Sequence, residues 1–556
     1  MSRLQALADL SSSSRNSAIP PTDDAPKASD ALEPSLHQRG IRNSSAELST
    51  GGTLSTLHRL RYAILASLVL AVVLLHAFHG HWIGDFWEHS AVVRELATHP
   101  LHPRHPLLLV DAPHAFANPY ALVVAMLCRI TGMSSVTGLT AASIVNLVML
   151  FVALRVFVRR FASAESATVA FYLMLFMLLL WGREPWEFSG FFHVDVLNHT
   201  LAYPSACAFW VSLLLLALNG KRMAERSQRL LLLIVPMSAF VLLVHPPVFL
   251  FVATGVASMA LDAANRRAEL LMAAGALVAA VAIALTWPYF PVWQLLTGAS
   301  AAFNANNAAM YSQPLLRTFP ALIGIPLLAA EARRTGRWSM AAWVAMLLGI
   351  YAFGFVTASY NYGRVIFFVV FLLQFEIAKF VAQLEAKLEA RKPGGAWYVV
   401  TGAALVVCML LSARSLVSAA RDVLWGARSD AGYAFLGRDV DQYDVMMGDL
   451  RTGWIAASFG GKLVAVQHPL AFVSEAEQQA RRADTRKFFD AATTRTERER
   501  ILRRYGVTYV FAPRRSAVDS ANVADSTVRA LGVVTHQDDR FLLVRVDSGA
   551  VVDVRR

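Results

Sequence analysis

The chain has 556 residues, of which 56% are hydrophobic and only 16% charged, and it carries a formal net charge of +12. A soluble domain is about 45–50% apolar and about 25% charged, so this balance excludes a disordered chain or one ordinary soluble domain. It leaves a polytopic helical membrane protein with a soluble attachment. The positive charge does not point to nucleic acid, because cytoplasmic loops of membrane proteins collect Lys and Arg and no nucleic-acid-binding motif accompanies them.

In chain order, residues 1–59 are rich in Ser, Pro, Asp and Ala, a composition that cannot bury enough apolar area to order itself. This predicts a disordered cytoplasmic tail. No apolar core lies near the start, so no signal peptide is expected. Eleven runs then approach the roughly 20 apolar residues needed to cross a bilayer. They are 60–79, 135–158, 166–182, 200–219, 229–245, 247–262, 268–290, 315–331, 338–357, 362–382 and 397–418. Basic clusters at Arg59/Arg61, Arg155/Arg159/Arg160, Lys221/Arg222/Arg226/Arg229, Arg266/Arg267, Arg333/Arg334/Arg337 and Lys387/Arg391/Lys392 all fall on one side if eleven spans are right. The positive-inside rule then makes the N-terminus cytoplasmic and places the C-terminus across the membrane. Alanine- and arginine-rich composition suggests a bacterial cytoplasmic (inner) membrane.

The bundle is expected over 60–419, with outside loops at 80–134 and 183–199 that carry the chemistry. Within the first loop, the short apolar run ending at Ile130 reads as a helix lying in the interface. From 420 to 556 the charge rises, and short apolar runs at Leu463–Val466, Tyr509–Phe511 and Phe541–Val544 read as buried strands. Arg481 to Tyr505 reads as one or two charged helices. The fold class is therefore an all-α polytopic bundle with a C-terminal extracytoplasmic α/β domain.

Asp85 follows the first span directly. With Glu88 three residues on, it matches a capping box. A carboxylate fixed there beside Trp82, Phe86 and Trp87 is also partly desolvated, which raises its pKa toward that of a usable base. Trp87 and His89 flank it as candidate substrate contacts. Glu184, Glu187 and Asp195 form a second acidic group among aromatic residues, which supply sugar-stacking faces or an interfacial belt. Arg364 breaks the positive-inside pattern at the outer end of the tenth span. Its fork suits a phosphate, or it snorkels to headgroups. Tyr362 and His245 are its candidate partners. The three cysteines and the eight histidines from His76 to His114 match neither a disulfide framework nor a metal-binding pattern, so no metal or cofactor is expected.

This layout resembles the GT-C class of polytopic glycosyltransferases, which includes protein mannosyltransferases and lipid A aminoarabinose transferases. The resemblance rests on the first span followed by Gly84-Asp85-Phe86-Trp87-Glu88-His89, the interfacial helix, the many spans and the final soluble domain. Within that domain, Val466-Gln467-His468-Pro469, Lys487-Phe488-Phe489 and Arg504-Tyr505-Gly506-Val507-Thr508-Tyr509 look like the tail domain of bacterial members. The chain departs from the mannosyltransferases, whose first-loop acids are adjacent, and it lacks the tryptophan-rich motif of oligosaccharyltransferases. The resemblance implies that Asp85 is the catalytic base, and Glu88 stands beside it as a second candidate catalytic residue. It implies a polyprenyl-phosphate-linked sugar as donor, and a glycan, lipid or protein hydroxyl as acceptor. A transporter or flippase of lipid-linked glycans, a polymerase or ligase, and a structural membrane protein stand as alternatives.

Overall fold

The computed structural model describes residues 50–162, 166–391, 395–514 and 524–547. Most of the tail expected over 1–59 lies outside these residues, but its last stretch is already helical, because the first helix α1 (Thr50–His79) begins ahead of its apolar run. Then come α2 (Phe86–Thr98), α3 (Pro119–Thr131), α4 (Ser135–Phe161), α5 (Ser166–Leu179), α6 (Val194–Thr200), α7 (Pro204–Glu225), α8 (Leu231–Val244), α9 (Pro246–Ala260) and α10 (Arg266–Leu285). The long helices Ser339–Val356 and Ile366–Arg391 and the pair Ala396–Leu411 and Ala413–Trp425 complete the bundle.

Among the described residues, six helices are long and apolar enough to cross a membrane, or up to seven if the bent pair counts as one span. The expected number was eleven. The other runs form shorter, broken or bent helices. At 1.5 Å per residue a helix of 14 residues reaches about 21 Å against a hydrocarbon core of about 30 Å, and α5 and α8 each have 14 residues. The run 229–262 does divide at His245, which ends α8 and precedes α9. The run 315–331 breaks into Pro314–Thr318, a 3-10 turn and Gly324–Thr335. The run 397–418 bends by 77° between its two helices.

Burial sorts the helices as their composition dictates. α5, apolar on every side, and Ile366–Arg391 bury Tyr172, Phe176, Phe367 and Phe371 in the middle of the bundle. α1 and α10 expose Leu68, Phe78, Leu271 and Val278, as helices facing a lipid solvent do. α3 is capped by Asn118, whose side chain accepts from the Ala121 N–H, and stopped by Gly132 at φ 73°. It buries Tyr120, Val124 and Cys128 and exposes Val123, Leu127 and Ile130, the one-sided pattern of an interfacial helix.

Basic residues gather at one end of the bundle. The Arg160 side chain donates to the Gly220 carbonyl, Arg222 pairs with Glu269, and the Trp338 N–H donates to Asp262. Arg61 forks onto Glu385, while Arg155 lies over the Tyr62 ring.

The C-terminal part forms a mixed five-stranded sheet of order β2-β1-β3-β5-β4, where β1 is Val445–Gly448, β2 Lys462–Leu463, β3 Tyr509–Pro513, β4 Gly532–Gln537 and β5 Phe541–Val546. β1 runs parallel to β2 and β3, and β5 runs antiparallel to β3 and β4. The strand period of two splits its side chains. Val510, Leu542 and Val544 face helices Glu475–Phe489 and Arg495–Tyr505 through Phe488, Ile501 and Leu502. Tyr509, Phe511, Phe541 and Leu543 face a second core that includes Ala91, Leu107 and Leu108 from the first loop. The first loop also joins the sheet edge: Leu108 bridges Leu463 in parallel, and the Leu463 N–H donates to the Leu107 carbonyl at 2.6 Å.

Candidate active site where bundle and sheet meet

α2 builds the site. Gly84, at φ 61°, turns the chain from α1 into α2 in a conformation that a side chain disfavours. Phe86, Val92, Val93 and Leu96 then pack into the bundle core. Glu88 and Glu95, two turns apart and so on one face, turn to the sheet domain instead.

Asp85 precedes the first turn of α2 at φ −67° and ψ −5°, and its side chain makes no capping hydrogen bond. The capping box expected from Asp85 and Glu88 is thus absent. Tyr203, just ahead of α7, does that work: its hydroxyl accepts from the Phe86 N–H at 3.1 Å and donates to the Ile83 carbonyl at 3.1 Å. The Asp85 carboxylate is left 35% exposed, 3.7 Å from His468 Nε2. Burial raises its pKa above the ordinary carboxylate value, Glu88 adds to that, and His468 and Arg364 oppose it.

Glu88 is 1% exposed and lies between two imidazoles, with Oε1 3.1 Å from His114 Nε2 and Oε2 2.9 Å from His468 Nδ1, the second an ion-pair contact without hydrogen-bond geometry. Burial pushes its pKa up, but the two imidazoles outweigh burial and hold it well below the usual range. His114 is oriented by the Phe116 N–H, which donates to its Nδ1. Burial pushes the His468 pKa down, but Glu88 and Asp85 overcome it and raise the value to about 9. His89 stacks on Phe116 at 4.6 Å, and burial lowers its pKa to about 3, so it stays neutral.

Arg364 stands in the 3-10 turn that leads into Ile366–Arg391. Its Nε donates to Asn307 Oδ1 at 2.9 Å, and one terminal nitrogen donates to Ser189 Oγ at 2.7 Å. Its guanidinium lies 5.3 Å from the Phe188 ring centroid. Asn307 is itself held by Asn361. The other terminal nitrogen, Nη2, makes no hydrogen bond among the described residues, so a pre-aimed donor remains for a ligand. His245 lies within electrostatic range of Arg364 and His89, with its Nδ1 buried and unpartnered.

The structure therefore brings Asp85, Glu88, His89, Arg364 and His245 together. It places the others elsewhere. Trp87 is buried against Phe86 and Phe459 and presents no open stacking face. Tyr362 packs edge-on against Phe353. Glu184 pairs with Arg414 at 2.5 Å. Burial raises the Glu187 pKa, and Asp195 and Asp422 raise it further. The charges that act most on Asp85 are His468, Glu88 and Arg364, not members of this second acidic group.

Residue-by-residue reading of the sequence misses His468, His114, Tyr203 and Trp454. Trp454 donates from Nε1 to the Gly84 carbonyl at 2.9 Å and meets the His468 ring edge-on. The signals for this set were the Val466-Gln467-His468-Pro469 stretch and the histidine group that ends at His114. Asp85, Glu88 and His468 also bring three donor atoms within 4.8 Å of one another, a spacing a metal ion can occupy. Of these residues, Glu88 Oε2 and His468 Nδ1 are buried without a hydrogen-bond partner among the described residues.

No family profile and no curated protein matches this chain in sequence. Solved structures do match. The archaeal oligosaccharyltransferase AglB from Archaeoglobus fulgidus, in complex with an inhibitory peptide and a dolichol-phosphate, aligns with a TM-score of 0.51 at 11% identity, over 83% of this chain and 70% of that one. This chain shares the fold of that oligosaccharyltransferase. ArnT from Cupriavidus metallidurans, bound to undecaprenyl phosphate, aligns over 89% of this chain and 99% of its own at 13% identity, with a TM-score of 0.47. At such identities the likeness is one of fold, and the chemistry has to be argued from the residues.

Proposed function

We propose that this chain is a multi-pass membrane glycosyltransferase. It moves a sugar from a polyprenyl-phosphate donor to an acceptor hydroxyl at the outer face of a bacterial cytoplasmic membrane. The observation that carries the reading is the Asp85 carboxylate, relieved of helix capping by Tyr203, partly desolvated and within electrostatic range of Arg364. The dolichol-phosphate held by AglB, whose fold this chain shares, supports a lipid-phosphate donor. The gathering of basic side chains at the opposite end of the bundle supports an outer location for Asp85 and the sheet domain.

The acceptor oxygen attacks the anomeric carbon while its proton passes to Asp85. The bond from that carbon to the phosphate oxygen breaks, and the lipid phosphate leaves with the electron pair. Arg364, with His245 beside it, receives the charge that develops there. Attack from the face opposite the leaving group, with no covalent intermediate, inverts the anomeric centre. Glu88 does not act as a second base, because it is buried and the flanking imidazoles of His468 and His114 hold its pKa well below the usual range. Donor, acceptor and bilayer are the expected partners.

The test is mass spectrometry of surface glycans and lipid-linked sugars in a strain lacking the protein. The expected outcome is loss of one sugar and accumulation of its lipid-phosphate donor, restored by the wild type. Asp85→Asn is expected to lose about 10²–10⁴-fold in rate, the usual worth of a positioned base. Full restoration by Asp85→Asn would remove the base from the mechanism.

A further inference from the structure

The histidines between His76 and His114 show no metal-binding spacing in the sequence, and the transfer mechanism uses neither His76 nor His81. The fold supplies what the spacing lacks. His76 stands in the last turn of α1. Gly80, at φ 67°, donates its N–H to the His76 carbonyl and turns the chain back, which brings His81 to the same end of the helix. From far along the chain, α6 adds His199. The ring centroids of His76 and His199 lie 4.9 Å apart, those of His81 and His199 5.9 Å, and those of His76 and His81 6.4 Å.

A buried ring nitrogen costs free energy unless it is paired. His76 is fully buried, and neither of its nitrogens has a hydrogen-bond partner among the described residues. His81 Nδ1 and His199 Nδ1 are buried and unpartnered as well. The one pairing that is made points the same way. His199 Nε2 bonds Asp422 Oδ2, on helix Ala413–Trp425, at 3.1 Å. A carboxylate only accepts, so Nε2 carries the proton, and the neutral ring keeps a lone pair on Nδ1. A ligating imidazole is oriented and made more basic in this way, by donating its other N–H to a carboxylate.

We propose that His76, His81 and His199 form a binding site for a divalent ion of the zinc class, with Asp422 orienting His199. Around a tetrahedral ion with nitrogens at about 2.0–2.1 Å, three imidazole centroids stand roughly 5 Å apart. His76 and His199 already have that spacing. His81 reaches it by swinging in by about 1 Å; it is partly exposed, and its side chain makes no hydrogen bond among the described residues. Imidazole ligands suit Zn2+ and its first-row neighbours, whereas Mg2+ and Ca2+ take oxygen. Asp422 and Asp195, both within electrostatic range of His199, offset the charge of the ion. The site is structural and its ligands are separate from Asp85, Glu88 and His468, so it does not depend on the transferase reading. It ties the exit of α1 to α6 and, through Asp422, to helix Ala413–Trp425. Trp82 meets His76 edge-on at 5.2 Å and stacks on Phe86 at 4.3 Å, so the ion also steadies the turn that carries Asp85.

The test uses the full-length protein, purified without a polyhistidine tag and stripped with a chelator. Zn2+ alone is titrated back, and bound metal is measured by inductively coupled plasma mass spectrometry, together with Tm. Wild type is expected to bind Zn2+ and to gain in Tm, and His81→Ala and His199→Ala are expected to lose both responses. His468→Ala, which breaks the Asp85–Glu88–His468 cluster, is expected to keep them. Asp422→Asn retains the three ligands and is expected to weaken Zn2+ binding about 10–100-fold. Co2+ in place of Zn2+ reads the geometry in the wild type itself: visible absorption of a tetrahedral nitrogen site is expected, bleached by added Zn2+. Equal Zn2+ uptake by wild type and His81→Ala would overturn the proposal, and so would a Co2+ spectrum without that absorption. Loss of the ion in His468→Ala would assign it to the other cluster, and an equal gain in Tm with Mg2+ would exclude imidazole ligation; either result overturns the site.

Discussion

Glu88 buries a negative charge between two imidazoles, and this sets how the protein answers to pH. His468 has its pKa raised from 6.5 to about 9 in the fold. Below 6.5 both folded and unfolded chains carry that proton, and the pair contributes its full stability. As pH rises toward 9 only the folded chain still holds the proton, and the contribution drains away. Glu88 works in the opposite sense: its pKa is depressed from 4.5, so its contribution is present above 4.5 and lost as pH falls. The pair therefore stabilises most between about 4.5 and 6.5. Thermal melts of the wild type are expected to fall in Tm from pH 6.5 to 9, and Glu88→Gln is expected to flatten that slope. An unchanged slope in Glu88→Gln would dissociate the pair from the pH response. The same residues mark the limit of what local sequence reveals. Asp85 and Arg364 were legible because a carboxylate after a span and an arginine on the wrong side are local anomalies. Tyr203 was not, because the Phe86 N–H and Ile83 carbonyl it bonds lie more than a hundred residues away, and a four-residue capping box described the same site with a different hydrogen bond.

α2 is the element on which the molecule turns, because its sheet-facing side carries two buried carboxylates. Glu95 pairs with Lys462 Nζ at 2.6 Å, both nearly inaccessible, and it also accepts from Gln442 and the Arg104 N–H. Burial lowers the Lys462 pKa to about 8, though Glu95 opposes it. Removing one member of such a pair strands the other charge and costs about 3–5 kcal/mol, whereas replacing both by apolar groups is near neutral. Lys462→Met is expected to lower the melting transition sharply and expose the 99–110 segment to protease. Lys462→Met with Glu95→Leu is expected to recover most of that loss, and no recovery would mean that the charge pair itself specifies docking. Elements were legible to the extent that their own pattern defines them. The charged helices over 481–505 and the strands at 463, 509 and 541 follow from periodicity. β1 and β4 did not, since β1 (Val-Met-Met-Gly) is four residues buried on both faces and β4 (Gly-Val-Val-Thr-His-Gln) alternates only weakly. Fewer helices pass on length and apolarity than there are apolar runs because hydropathy counts residues, whereas α5, α8 and α9 are short apolar helices packed by neighbouring helices.

At the scale of the whole molecule, the two ends of the bundle differ in charge and in chemistry, and the proposed reaction needs that difference. A polyprenyl tail stays in the bilayer while its phosphate meets Asp85 and Arg364, so the acidic site, the exposed face of α3 and the sheet domain must share one membrane face. The basic turns must then lie on the other face, where positive charge is retained. Cysteine labelling can read this directly, because the native Cys128, Cys207 and Cys408 are all buried and give little background. Asp539, on the exposed turn between β4 and β5, and Thr335, beside the exposed Arg333 and Arg334, are suitable reporters. In intact cells Asp539→Cys is expected to react with a membrane-impermeant maleimide, and Thr335→Cys only after permeabilisation. Labelling of both from one side would put the two ends on the same face. That result would break the span parity behind the orientation and leave the lipid phosphate no route from the bilayer to Arg364.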